Sequence, residues 1–290
     1  MNGGTPLPDA STGMTDITLS AAAPADVAKP GFRSGWQGVH LRSRIRAALI
    51  HLLVSAVIAG GVLLLVYGFW YQQALAAVAG VGTILLLLLA VDVSLGPIMT
   101  LMVFDRRKKS LPWDMTVIAL LQVAGLVYGL YTVEVGRPHY LVFVKDRFEA
   151  VSRADLQADD MKAAENNPSA RTSWLGPAWV AATSPADEKA RQDALFEAAL
   201  GGRDLQHFPQ RYEPLGNQQS LMLARMLDIG TLRKLNPDEG ATLDAALKKA
   251  GLNDEQAGYL PLKGEERDAA VLMAREDGRV LALLPFSPWK

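Results

Sequence analysis

The stretch from Val78 to Phe104 (VAGVGTILLLLLAVDVSLGPIMTLMVF) constrains this chain more than any other. It is long and apolar enough to cross a bilayer, whose hydrocarbon core takes about 20 apolar residues of helix. Asp92 lies near its middle, and Gly96-Pro97 follows about one turn later. A carboxylate at the bilayer centre costs on the order of 3 kcal/mol, so it is expected to face protein rather than lipid. Proline withholds a backbone donor and loosens the turn before it, which makes Gly96 and Pro97 a candidate kink. Such a helix needs neighbours in the membrane.

Two more apolar stretches supply them. Ala47–Tyr71 (AALIHLLVSAVIAGGVLLLVYGFWY) ends in Phe69, Trp70 and Tyr71, an aromatic belt of the kind found at membrane interfaces. Ala74-Leu75-Ala76 resembles a signal-peptide cleavage pattern. Signal h-regions run only about 7–15 residues, however, and more apolar helix follows at once, so a retained anchor is expected. The Gln72–Ala77 link carries no charge, which predicts a tight helical hairpin. Met115–Val135 contains Gln122, Gly125, Tyr128 and Gly129, small and polar residues suited to close helix packing. The predicted spans are 47–71, 78–104 and 115–135.

Charge sets the expected orientation. Arg42, Arg44 and Arg46 precede the first span, and Arg106, Arg107, Lys108 and Lys109 separate the second from the third. The positive-inside rule then puts the N-terminus and this loop in the cytoplasm of a bacterial inner membrane, with everything after Val135 in the periplasm. Residues 1–35, rich in Gly, Pro, Ala, Ser and Thr, read as a disordered tail in which Met14 is an alternative start. Residues 36–46 read as a basic cytoplasmic juxtamembrane segment with Trp36 as interfacial anchor.

The rest, 136–290, is polar and charge-balanced. A strand is expected at His139–Val144, continuing through Phe148 and Val151, then a helix over Asp155–Glu165. Ser184-Pro185-Ala186-Asp187 opens a helix that runs to Leu200 and stops at Gly201-Gly202. Asn236-Pro237-Asp238-Glu239 repeats that grammar for a helix with Leu243, Ala246, Leu247 and Ala250 on its apolar face, ended by Gly251. Ala269–Ala274 and Arg279–Pro285 read as a hairpin. The expected fold is an integral membrane protein of three transmembrane helices plus a periplasmic α+β domain.

Chemistry is sparse. With 29 basic and 30 acidic residues, nothing favours nucleic acid. The absence of cysteine excludes disulfides, thiolate catalysis and cysteine-based metal sites. His40, His51, His139 and His207 are dispersed, and no nucleophile elbow, phosphate loop or dinucleotide fingerprint occurs. Gly80-Val81-Gly82 reads as helix packing, and Asp159-Asp160 and Glu265-Glu266 as solvated pairs. Neither enzyme activity nor a cofactor is expected.

At about 1.5 Å of rise per residue, Asp92 lies level with Ile58 and Tyr128, which makes Tyr128 its candidate partner. Nearer the cytoplasm, His51, Thr100 and Gln122 share a depth and form a second candidate polar layer. Asp92 therefore either fixes the bundle through Tyr128 or contacts another protein's membrane helix. A proton or ion path is disfavoured, because a single carboxylate makes a poor relay. Trp113, Trp174 and Trp179 are candidate partner contacts, the alternative being interface anchors or core.

IHLLVSAVIA, VDVSLGPIMTLMVFDRRKKSLPWDMTVIALLQVAGLVYGLYTVEVGRPHYLVFVKDRFEAVS, SWLGPAWVAATSP, GGRDLQHFPQRYEPL and YLPLKGEERDAAVLMAREDGRVLALLPFSPW resemble the TfpX/TfpZ type IV pilin accessory proteins. The likeness covers about residues 44–290 and leaves out the N-terminal tail. It implies an inner-membrane accessory factor, without enzyme activity, that acts beside type IV pilin through the pilin's membrane helix, its periplasmic head, or both. It assigns no functional residues. A membrane-anchored periplasmic sensor is the alternative reading; against it, the cytoplasmic side offers only a tail and a short loop.

Overall fold

The computed structural model describes residues 41–72, 74–185, 187–189, 191–192, 196, 200 and 203–289. The expected tail at 1–35, with Trp36 and His40, lies outside them, as does much of the helix expected at Ser184–Leu200 with its stop at Gly201-Gly202.

Among the described residues, three helices are long and apolar enough to cross a membrane. The first, α1, runs over Leu41–Leu65, and its last turn widens into a π-helix at Val66–Trp70, closed by Tyr71 N donating to Val66 O at 2.8 Å. The link is tight, as expected. It forms the single turn α2 (Leu75–Val78), and Gly80, in the left-handed region at φ 65°, starts α3 (Val81–Val103) afresh. The stretch Val78–Phe104 is thus not one helix, because Gly80 marks a break between two. The third span, α4, covers Leu111–Gly136 with Pro112 in its first turn, where a missing donor does no harm.

A mixed sheet follows, built from β1 (Pro138–Val144) and β2 (Arg147–Ser152), then β3 (Ala178–Ala182) after the short helix α5 (Ala158–Ala163). Next come β4 (Tyr212–Pro214), α6 (Gln219–Arg225), β5 (Leu227–Asp228), α7 (Ile229–Leu235) and α8 (Gly240–Ala250). The chain closes with β6 (Ala257–Lys263), β7 (Ala269–Ala274) and β8 (Val280–Leu284). The spatial order is β4-β3-β1-β2-β6-β7-β8, with β5 beside β6. Pairs β1/β3 and β2/β6 are parallel and the others antiparallel. Three apolar helices joined to an α+β sheet domain is the architecture the sequence implies.

Three local readings change. The strand expected to continue through Phe148 instead turns back as β2, with Lys145 at φ 60° in the bend. No glycine announces that turn, so the apolar run reads as continuous. β6 went unrecognised because Pro261 sits inside it and proline argues against an inner strand. Along one edge, β5 pairs with Gly258 and Tyr259 and β2 with Leu262 and Lys263. Pro261 falls between those partners, where that edge has no ladder to break. The helix expected at Asp155–Glu165 shrinks to α5.

Side chains alternate strictly across the sheet. Leu141, Phe143, Phe148, Leu260, Leu262, Val271 and Met273 line one face, and Tyr140, Val142, Tyr259, Ala270 and Leu272 the other. Both faces are covered, so the strands read as unbroken apolar runs. The second face is packed by Leu205 and Tyr212 at one end and by α7 and α8 at the other, where Leu243 and Leu247 insert. The first face takes the uncharged α1–α3 turn. Leu75 and Val78 are buried against it together with Val66, Trp70 and Tyr71. Backbone bonds from Glu266 N and Arg267 N to Val78 O, at 3.0 and 3.3 Å, tie the turn to the β6–β7 loop. One apolar core therefore runs from the ends of the spans into the sheet.

Candidate docking groove in the helix bundle

Helix α3 is the centre of the bundle: α1 packs along one side and α4 along another, while α1 and α4 make no comparable contact with each other. Glycine sets how closely α3 and α4 approach. A Cβ on Gly96 would collide with the Gln122 amide, and one on Gly129 with the Leu88 side chain. Helix α3 runs unbroken through Pro97. The role visible for Gly96 is to make room for Gln122.

That room is used. His51 Nδ1 lies 2.7 Å from Thr100 Oγ1, and His51 Nε2 lies 2.6 Å from Gln122 Oε1. Gln122 Nε2 donates to the Asp92 backbone carbonyl at 3.0 Å. An amide oxygen can only accept, so the network assigns the proton to His51 Nε2 and leaves Nδ1 to accept from the Thr100 hydroxyl. The chain Thr100–His51–Gln122–Asp92 links all three spans through side-chain hydrogen bonds, and Thr100 is buried within it.

Tyr128 does not join. It is 73% exposed on the outside of α4, and its backbone carbonyl accepts from Thr132 Oγ1. The expected Asp92–Tyr128 contact is not formed, because Tyr128 faces away from the other helices. Among the described residues the Asp92 carboxylate has no hydrogen-bond or ion-pair partner. It borders a cavity of about 140 Å³ between α1 and α4, together with His51, Ser55, Ile58, Gln122 and Leu126. Toward the basic end, a groove of about 590 Å³ continues past His51, Val54, Thr100 and Ala119 to Arg46 and Arg106. The result is a lengthwise apolar groove floored by α3, with one unpaired carboxylate at mid-depth and cations at one end.

The tryptophans separate. Trp113 is exposed at the start of α4. Trp179, in β3, sets its ring edge-on to Phe148 at 5.2 Å and belongs to the core. Trp174 is exposed yet packs T-shaped on Trp70 at 5.8 Å. Of the expected aromatic belt, Phe69 is exposed, with Tyr67 beside it, whereas Trp70 and Tyr71 are buried by the sheet domain.

A second polar cluster, which the sequence reading overlooked, sits where α4 passes into β1. Arg137 is 1% exposed; its guanidinium lies 5.6 Å from the Trp70 ring, and Nη2 donates to Ser173 O at 2.8 Å. Glu134 Oε1 lies 3.1 Å from His139 Nε2, and His139 Nδ1 lies 2.9 Å from Arg137 O. Both ring nitrogens thus face acceptors, which a neutral imidazole satisfies only once. Burial, reinforced by the Arg137 charge, nonetheless holds the His139 pKa below its ordinary value. Tyr71 Oη completes the joint by donating to Val133 O at 3.0 Å. The cue was present in VEVGRPH, a run of ionisable residues directly after an apolar span.

A family model described as fimbrial assembly protein FimB matches residues 39–73, the segment that holds α1 and its aromatic end. Three relatives from Dichelobacter nodosus carry the description fimbrial assembly protein. That of serogroup I is 28% identical over 218 residues, 74% of this chain and 82% of the relative. That of serogroup E1 is 27% identical over 217 residues, 73% and 83% of the two chains. That of serogroups C1 and C2 is 29% identical over 115 residues, 39% and 85% of the two chains. No solved structure matches. By these comparisons the chain, with its three apolar helices and sheet domain, is similar to fimbrial assembly proteins over most of its length.

Proposed function

We propose that this chain is an inner-membrane accessory protein of the TfpX/TfpZ kind, which engages type IV pilin and supports pilus assembly or dynamics without catalysing a reaction. The observation that carries the reading is the unpaired Asp92 carboxylate on the floor of the α1–α4 groove, in a chain similar to fimbrial assembly proteins. A bare carboxylate at membrane depth is costly, and a polar group on an incoming helix offsets that cost. The groove suits one apolar helix, and the pilin's membrane helix is the proposed occupant. The basic residues Arg42, Arg44, Arg46 and Arg106–Lys109 support a cytoplasmic N-terminus, which leaves the sheet domain in the periplasm beside the pilin head. The protein then acts as a chaperone-like holder, shielding the helix while the head domain is free to move.

Two measurements test this. A photo-crosslinker at Val123, on the groove, should capture pilin in membranes; recovery equal to that of an unrelated three-span protein sinks the proposal. Asp92→Asn should leave membrane abundance unchanged, since no internal partner is lost, while pilus number and twitching fall. A parallel loss of abundance would make Asp92 a folding residue instead.

A further inference from the structure

Trp174 and Leu175 are 59% and 55% exposed, two large apolar side chains on one loop of the sheet domain. This loop is built to hold them outward. Buried Arg137 grips the Ser173 carbonyl at 2.8 Å, and Leu175 N donates to Ser173 Oγ at 3.0 Å. Gly176 then turns the chain at φ 89°, a conformation that side-chain-bearing residues rarely adopt. The Trp174 ring is clamped edge-on against Trp70, the last residue of the first span, at 5.8 Å. A flexible loop would fold such residues inward; this one is braced by a buried cation and a ring contact.

Its position identifies what it meets. If hydrocarbon begins where the basic segment ends, near Ala47, about 20 residues of helix bring the far interface to Tyr67. Tyr67 and Phe69 are exposed at that level, and Tyr131 is exposed near the end of α4. The loop lies against this same level: a Cβ on Gly176 would stand 3.9 Å from the Phe69 carbonyl. Trp174 therefore extends the aromatic belt of the spans, although in sequence it lies well beyond the last of them.

We propose that the Trp174–Leu175 loop is a non-spanning membrane contact, seated in the lipid interface beside the end of α1, which holds the sheet domain against the bilayer surface. Tryptophan, with an apolar ring and one donor, suits that layer, and leucine reaches just below it. The partner is lipid, so the contact needs no second protein.

The chain has no cysteine, so a single introduced cysteine carries a label uniquely. Leu175→Cys and, separately, Trp174→Cys are labelled with a nitroxide and the full chain is reconstituted in phosphatidylethanolamine–phosphatidylglycerol vesicles. Collision rates with oxygen, which concentrates in lipid, and with a water-soluble nickel chelate are then read. Leu86→Cys marks the bilayer interior and Lys248→Cys, exposed on α8, marks water. Both loop labels should show nickel accessibility several-fold below that at position 248 while oxygen accessibility stays high. Nickel accessibility equal to that at position 248 for both labels overturns the proposal. Low accessibility to both reagents also overturns it, because that pattern means cover by protein.

Discussion

Leu86 is 71% exposed and Leu260 is 0% exposed, although both sit in apolar runs. The first lies on the outer face of a helix long and apolar enough to cross a membrane, and the second between two covered faces of a sheet. In the sheet domain apolar residues are the interior and packing them supplies the stability. In the bundle lipid tails are as apolar as leucine, so burying a leucine gains little and small residues and hydrogen bonds set helix association. The polar residues invert accordingly. The bundle gathers Thr100, His51 and Gln122 along its interior, whereas the sheet domain keeps ion pairs such as Arg233 with Asp244 and Asp254 near its surface.

The sharpest way to break this contrast is truncation on each side of it. Phe148→Ala removes a fully buried ring that contacts Phe143 and Trp179 and should cost about 3–5 kcal/mol. Leu86→Ala should stay within about 0.5 kcal/mol, as a surface change does. Unfolding of the purified protein in detergent, read by protease resistance, measures both, and equal losses would erase the distinction. Within the bundle, Gly96→Leu should cost about 1–3 kcal/mol by overpacking against Gln122. Gly125→Leu, where a Cβ meets nothing within 4 Å, should be neutral or slightly favourable in the same assay.

Smaller effects sharpen the picture. Gln122→Ala severs the links to His51 and to the Asp92 carbonyl, and membrane hydrogen bonds of this kind average about 0.6 kcal/mol, with a maximum near 1.7. A larger loss would show the three members acting as one unit. The joint between the two regions should respond to pH. The folded pKa of His139 lies below its ordinary 6.5, so the unfolded chain binds the extra proton first. Its stabilising contribution is present above about 6.5 and fades as pH falls through the lowered folded value. The unfolding temperature should therefore drop on acidification, and His139→Gln should flatten that dependence. A slope that His139→Gln leaves unchanged would place the titrating group elsewhere.

Much of the fold was legible. Apolar length marked all three spans, the uncharged link marked a tight turn, two neighbouring apolar runs marked the β7–β8 hairpin, and Gly251 marked the end of α8. The predicted apolar face of α8 includes the buried Leu243 and Leu247. Asn236, expected as a cap, instead bonds Ser287 through both its amide donor and its acceptor, a long-range pairing that local spacing cannot reveal. Lys145 and Pro261 misled for the converse reason, since each occupies a position that a general preference argues against and that its neighbours permit. Arg137 was missed because a charge beside a span reads as an interfacial residue until a tryptophan and a distant carbonyl are seen to enclose it.

Sequence alone determined depth. Each helical residue advances about 1.5 Å, so the common level of His51, Thr100 and Gln122, which hydrogen-bond to one another, follows from counting. Only the tertiary structure decided direction. The spans are apolar nearly all round, so no stripe in the sequence says which side of α3 or α4 meets a neighbour and which meets lipid. Gln122 turns inward to bridge His51 and α3, Tyr128 turns out, and Asp92 is left facing an open groove. Rise is a property of each residue, whereas facing is a property of the packed bundle.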